Sequence, residues 1–315
     1  MESKQPGLLK KWIIAGRPWS LPASTMPVIF GTSLAVVIRA NGWESFGFFR
    51  FLLAFAAMML LHTAANMLSD VFDFRRGLDK DVTAVSGAIV RGWLTPAQVR
   101  AGSAVLFIAG CGIGIYLTYF SGKILLIIGA VGVTIGVFYT VLKYHALGDF
   151  GVFLNFGILG SLGAWVVQAK IYSWIPVVWT IPMAMLVSAI LHANNWRDTI
   201  SDQEKRVTTV ASLLGDKGSF YYYGFLIFGP FVIVLGLIFI PPLVSGRLEA
   251  MPLTFLAVLL ALPQGLGLWG RARRRHAPRN PMDFIILDGR TAQYNLTFGL
   301  LCTAAVWLHF ILSRI

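Results

Sequence analysis

Charge is what this sequence has least of. Asp, Glu, Lys and Arg together supply 13% of its 315 residues, about half the roughly 25% of an ordinary soluble domain. So few charges cannot solvate a globular surface. Acidic residues are the scarcer kind, 14 against 26 Lys and Arg, for a net charge of +12. Cysteine is nearly absent: Cys111 and Cys302 stand alone inside apolar segments. Two isolated thiols exclude a disulfide framework and offer no metal-ligand spacing. No Pro-, Gly- or Ser-rich linker divides the chain, which predicts one domain over residues 1–315.

What is present is apolar sequence. Hydrophobic residues make up 57% of the chain, and mean hydropathy is +0.72. Apolar runs long enough to cross a bilayer core fall at about 21–39, 48–67, 101–120, 124–142, 152–169, 175–191, 222–244, 253–269 and 296–312. Only Ser121, Gly122 and Lys123 separate the third run from the fourth, which predicts a tight helical hairpin. The first run contains Pro22 and Pro27 and lacks a small-residue cleavage site, so it reads as a span rather than a signal peptide. The expectation is an all-α integral membrane protein of nine transmembrane helices.

Charge distribution orients it. With the N-terminus inside, 20 of the 26 basic residues fall on inner segments, which predicts an N-in, C-out topology in the cell membrane. The basic excess then reflects topology and contact with anionic membrane lipids; it calls for no nucleic acid. The run Arg271, Arg273, Arg274 and Arg275 reads as an anchor facing lipid phosphates.

Two polar clusters interrupt this pattern, both at inner ends of spans. In the first, Asn66, Asp70 and Asp73 are spaced i, i+4, i+7 and share one face of a helix, with Arg75, Arg76, Asp79 and Lys80 following. In the second, Asn194, Asn195, Arg197, Asp198 and Asp202 are followed by Lys205 and Arg206. Asn66 and Asp70 recur 128 residues later as Asn194 and Asp198, an echo of two similar halves. Ionisable side chains at membrane depth are costly and usually face a working cavity. Stacked carboxylates repel unless a cation lies between them. Oxygen-only donors suit Mg²⁺, with Asn66, Asp70, Asp73, Asp198 and Asp202 as the ligand set. Arg75, Arg76, Lys80, Arg91, Arg197, Lys205 and Arg206 supply the basic half of a diphosphate clamp. A cation-coupled transporter also carries carboxylates within spans, but nearer the bilayer midplane.

The spacings Asn-x₃-Asp-x₂-Asp and Asp-x₃-Asp at the ends of spans two and six resemble the UbiA superfamily of intramembrane prenyltransferases, over nearly the whole chain. Arg17-Pro18-Trp19-Ser20-Leu21-Pro22 looks like that family's entry segment. Within the family the sequence is most similar to 1,4-dihydroxy-2-naphthoate prenyltransferases of menaquinone synthesis. The matching stretches are Asn66 to Asp79, Ala88 to Gly92, Tyr139-Thr140 with Leu147-Gly148-Asp149, Asn194 to Asp198, Thr208 to Ala211, and Thr291-Ala292. Ser69 departs where many members have a second Asn, and Lys205-Arg206-Val207 where Gly-Lys is common.

The resemblance implies nine helices around a central chamber roofed by the Asp-bearing inner loops. It implies a Mg²⁺-dependent transfer of a polyprenyl group from polyprenyl diphosphate to an aromatic acceptor. For 1,4-dihydroxy-2-naphthoate, loss of the carboxyl group gives a demethylmenaquinol. Other quinone-like acceptors or a glycerol-phosphate lipid are the alternatives. Aromatic side chains, with 10 Trp, 9 Tyr and 23 Phe, suit shielding of an allylic cation. Tyr139 is placed to face it, and Lys143 and Asp149 are placed for diphosphate contact and acceptor positioning. His62 and His192 read as packed helix histidines, and Asp283 and Asp288 as candidates to join the acceptor site.

Overall fold

The computed structural model describes residues 6–39, 46–77, 87–241, 249–275 and 282–315. Among them the chain is helical, with one isolated parallel bridge between His145 and Thr208. A short helix α1 (Leu8–Gly16) leads to Arg17, whose left-handed φ of 50° turns the chain into the first span. That span is α2 (Pro22–Leu34), prolonged by a π-helical turn to Arg39. Then come α3 (Phe48–Arg76), α4 (Pro96–Ser121) and α5 (Lys123–Tyr144). The fifth span joins α6 (Gly148–Val152), a π-helical stretch (Phe153–Leu159) and α7 (Gly160–Ala169). Next are α8 (Ile175–Arg197), the short α9 (Thr199–Glu204) and α10 (Val210–Phe239). A 3₁₀ stretch (Leu253–Ala261) runs into α11 (Leu262–Ala272), and α12 (Met282–Ile285) precedes α13 (Leu287–Leu312). Nine of these segments are long and apolar enough to cross a membrane.

Local chemistry sets the boundaries. Thr95 and Gln98 close a capping box over the start of α4, with Pro96 at the first helical position. Gly77, at φ 69°, ends α3 in the left-handed conformation that glycine takes most readily. Gly122 (φ 86°, ψ 179°) makes the α4–α5 hairpin turn that the sequence predicts.

Burial separates centre from wall. The core windows of α2, the fifth span and α8 are 72%, 67% and 67% buried, against 17% for α4 and α5. Gly31 of α2 lies directly on the backbone of Ser161 in α7, so the central helices meet through small residues.

Several helices outrun their apolar runs at the end of the bundle that carries the polar clusters. α3 continues to Arg76 and α8 to Arg197, while α10 begins at Val210 and α13 at Leu287. Hydropathy detects only the part of a helix that must lie in lipid. The backbone ladder continues through polar turns until a terminator such as Gly77 is reached. The first polar cluster is therefore carried on a continuous helix end, where its spacing is rigid.

Candidate active site

The C-terminal end of α3 buries the first cluster. Asp70 and Asp73 are 6% and 7% exposed although both are carboxylates. A buried charge needs a partner, and each has one. Arg17 Nη2 lies 2.6 Å from Asp70 Oδ1. Lys143 Nζ lies 3.2 Å from Asp73 Oδ2, and the Tyr144 hydroxyl donates to Asp73 Oδ1 at 2.7 Å. Gly87 covers Asp70 so closely that a Cβ there would sit 2.7 Å from Oδ2. Asn66 donates from Nδ2 to the Ser20 hydroxyl at 2.9 Å, tying α3 to the entry segment.

The second cluster is split by the joint between α8 and α9. Asp202, within α9, is 3% exposed. Asp198 sits at the joint with its side chain 40% exposed, gripped by both Nε and Nη2 of Arg197 at 2.8 and 2.9 Å. The two residues keep the i, i+4 backbone bond, but their carboxylates face different surroundings. Asn194 and Arg197 both reach Asp288 Oδ2, at 3.3 and 2.9 Å. Asn195 is 2% exposed, and its Oδ1 has no hydrogen-bond partner among the described residues.

Lys143 joins the two clusters. Its ammonium pairs with Asp73 at 3.2 Å and lies within electrostatic range of Asp202. The backbone explains this proximity: Ala146 N donates to Thr208 O at 2.8 Å and Thr208 N to Tyr144 O at 3.3 Å. The loop after α5 is thereby laced to the loop after α9. Tyr139, four residues before Lys143, lies within electrostatic range of Lys143, Asp73, Asp149 and Arg17. Asp149 is 3% exposed, and its Oδ2 lies 3.2 Å from His192 Nδ1 on α8.

Other expected residues lie at the margin. Arg75, Arg76 and Arg206 are exposed, Lys205 and Arg91 partly so. Arg76 stacks 4.2 Å over the Tyr144 ring, and Arg91 lies 5.1 Å over Trp93. Asp79, Lys80 and the side chain of Asp283 lie outside the described residues. Arg17 and Tyr144, which hold the two buried carboxylates, are functional candidates that motif spacing does not single out. Arg17 stands inside the recognised entry segment, which was the available signal.

Beneath the charges lies a cavity of about 320 Å³. Met58, Leu61 and Ala65 of α3 and Gly129, Gly132 and Gly136 of α5 are among its walls. Ala65, Ser69 and Asp73 follow one another at i, i+4, i+8, and Gly136, Tyr139 and Lys143 at i, i+3, i+7. Both helices thus run from an apolar chamber up to the Asp73–Lys143 pair.

The donor set can be tested against a metal. Among the described residues no three His, Cys, Asp or Glu side chains gather closely enough to hold an ion by themselves. Buried carboxylate and amide oxygens are present, with no thiolate among them. Such a set fits Mg²⁺, which is commonly held by one or two carboxylates and completed by substrate phosphate oxygens and water.

A model of the UbiA prenyltransferase family matches residues 26–287. The chain belongs to the UbiA prenyltransferase family. It is a membrane prenyltransferase. The UbiA prenyltransferase domain-containing protein 1 homolog of Drosophila melanogaster is 33% identical over 303 residues, covering 94% of this chain and 79% of that protein. The human UbiA prenyltransferase domain-containing protein 1 is 31% identical over 296 residues, covering 92% and 81%. These names state a prenyltransferase domain and give no acceptor. The fold matches a UbiA homolog from Archaeoglobus fulgidus bound to DMAPP and Mg²⁺, with a TM-score of 0.59 at 12% identity over 93% of this chain and 99% of that one. It also matches the apo UbiA homolog from Aeropyrum pernix, with a TM-score of 0.64 at 14% identity over 91% and 97%.

Proposed function

We propose that this prenyltransferase moves a polyprenyl group from its diphosphate to an aromatic acceptor, with 1,4-dihydroxy-2-naphthoate as the acceptor its motifs fit. The observation that carries this reading is the stack of buried charges directly above an apolar chamber. An amphiphile with a charged head and a long hydrocarbon tail matches both. The basic excess on the segments read as inner supports a head group on the cytoplasmic side of the cell membrane.

The chain's own residues divide the work by level. Asp70, Asp73 and Asp202, with Asn66 and Asp198 at the edge, would hold Mg²⁺ through their oxygens together with the phosphate oxygens of the donor. When bound, Mg²⁺ neutralises the charge that develops on the departing diphosphate. Arg17 and Lys143 hold the buried carboxylates in its absence and turn to phosphate oxygens when donor enters. Arg75, Arg76, Lys80, Arg91, Arg197, Lys205 and Arg206 surround the head group. Asp79, Asn194 and Asn195 complete the rim.

The C1–O bond of the donor breaks with its electron pair going to the diphosphate. Tyr139, one turn below Lys143, faces the resulting allylic cation and keeps water away. A ring carbon of the acceptor forms the new bond to C1. With the naphthoate, the carboxyl group leaves as CO₂ and its bonding pair returns to the ring. Asp149 orients the acceptor beside this carbon.

The test is direct. Purified protein with a labelled polyprenyl diphosphate and a panel of aromatic acceptors should yield a prenylated, decarboxylated product from the naphthoate. Asp70→Ala and Asp198→Ala should abolish Mg²⁺-dependent diphosphate release while the protein remains folded. Normal turnover in either variant removes the metal assignment, and substrate flux without diphosphate release would make the protein a transporter.

A further inference from the structure

The chamber wall is hydrocarbon with one conspicuous exception. Asn155 lines it from the fifth span, and its side chain makes no hydrogen bond to any described residue. Of the other heteroatom side chains on the wall, Cys111 carries a weakly polar thiol and the Thr118 hydroxyl donates to Ile115 O at 2.6 Å within its own helix. An amide inside a bilayer carries two donors and an acceptor that lipid cannot satisfy. The backbone at this point is also unusual: Phe153–Leu159 is π-helical, a widened turn that recurs at functional sites. From this stretch the amide lies against α5. A Cβ on Gly132 would lie 3.0 Å from Asn155 Oδ1, and one on Gly136 would lie 3.8 Å from Nδ2.

Position along α5 gives the depth. Gly132, Gly136, Tyr139 and Lys143 share one helix face, and at 1.5 Å per residue Gly136 lies about 10 Å below Lys143. The amide, which lies against Gly132 and Gly136, is therefore one to two turns below Tyr139, on the side of it away from Lys143. A prenyl tail has nothing to offer it. An oxygenated ring does: a phenolic hydroxyl can donate to Oδ1, and a hydroxyl or carbonyl oxygen can accept from Nδ2.

We infer that Asn155 binds a ring hydroxyl or carbonyl of the acceptor and selects oxygenated aromatics. This rests on the aromatic-acceptor reading above. It adds a residue of the fifth span, deep in the chamber, to the acceptor site. The two glycines facing it let the amide pack close against α5 at the chamber wall.

The experiment uses the full chain in lipid nanodiscs and compares wild type with Asn155→Leu and Asn155→Ala. Kinetics are taken with 1,4-dihydroxynaphthalene-type acceptors and with 1-naphthol, which lacks the second hydroxyl. The expected result is an acceptor KM raised about tenfold in both variants, equivalent to ~1.4 kcal/mol, with the donor KM unchanged. The penalty should shrink for 1-naphthol, because the lost bond is absent there already. Thermal melting should show both variants folded, since an unpartnered amide contributes no internal bond; should one fail to fold, the other carries the measurement. An unchanged acceptor KM together with an altered preference for donor chain length would overturn the inference, placing Asn155 against the tail. Wild-type protein that prenylates no aromatic acceptor would remove the underlying reading as well, an outcome seen without any variant.

Discussion

Asp73 is held by two donors of different kinds, and they are separable. Tyr144→Phe removes one hydrogen bond to a charged acceptor, typically ~1.5–3 kcal/mol, while Lys143 keeps its contact with Asp73 at 3.2 Å. Diphosphate release should fall by about tenfold or more with the fold intact, measured by single-turnover release. Arg17→Gln goes further by leaving the buried Asp70 without its guanidinium. Breaking a buried ion pair costs about 3–5 kcal/mol, and less here because the Arg17 side chain is 28% exposed. The expected outcome is a lower melting temperature and a raised donor KM, both partly restored by Mg²⁺. Melting unaffected by the substitution would show that Asp70 does not depend on Arg17. The sequence made Asp70, Asp73 and Lys143 legible through spacing and polarity. Arg17 and Tyr144 were not, because their roles come from contacts 53 and 71 residues away along the chain.

At the scale of elements, hydropathy placed the nine spans found among the described residues yet stopped short at the ends that carry the polar clusters. The missing turns are those that carry chemistry, because a catalytic helix end is too polar to register as apolar sequence. The joint between α8 and α9 was likewise hidden. The spacing of Asp198 and Asp202 is helical, but a break at Asp198 (φ −93°, ψ 9°) exposes one carboxylate and buries the other. Glycine contacts offer a test of the packing. Gly31→Ala would drive a methyl group into the Ser161 backbone between α2 and α7, and overpacking of this kind typically costs ~1–3 kcal/mol. The melting temperature should drop while donor KM stays unchanged. Gly87→Ala should do the reverse, pressing on Asp70 Oδ2 and depressing turnover with little change in melting.

For the molecule as a whole, the basic excess on the inner segments predicts how it lies in the membrane. Replacing Cys111 and Cys302 and then introducing Gln203→Cys or Tyr172→Cys gives single thiols at opposite ends of the bundle. On sealed cells an impermeant maleimide should label the Tyr172 position and not the Gln203 position. The opposite pattern would invert the topology. Metal removal belongs at this scale too, since Mg²⁺ would neutralise carboxylates from both halves. Chelation should stop product formation, and added Mg²⁺ should restore it.

The lacing of Ala146 to Thr208 has a practical meaning for anyone who engineers this protein. Surface loops are ordinarily the safe places to insert a tag or a fluorescent reporter. Here the segments 145–147 and 206–208 behave as a clasp, and lengthening either would let Lys143 drift from Asp202. Fusions belong on other loops. A reporter spliced into the clasp would yield a protein that inserts, melts normally and turns over nothing.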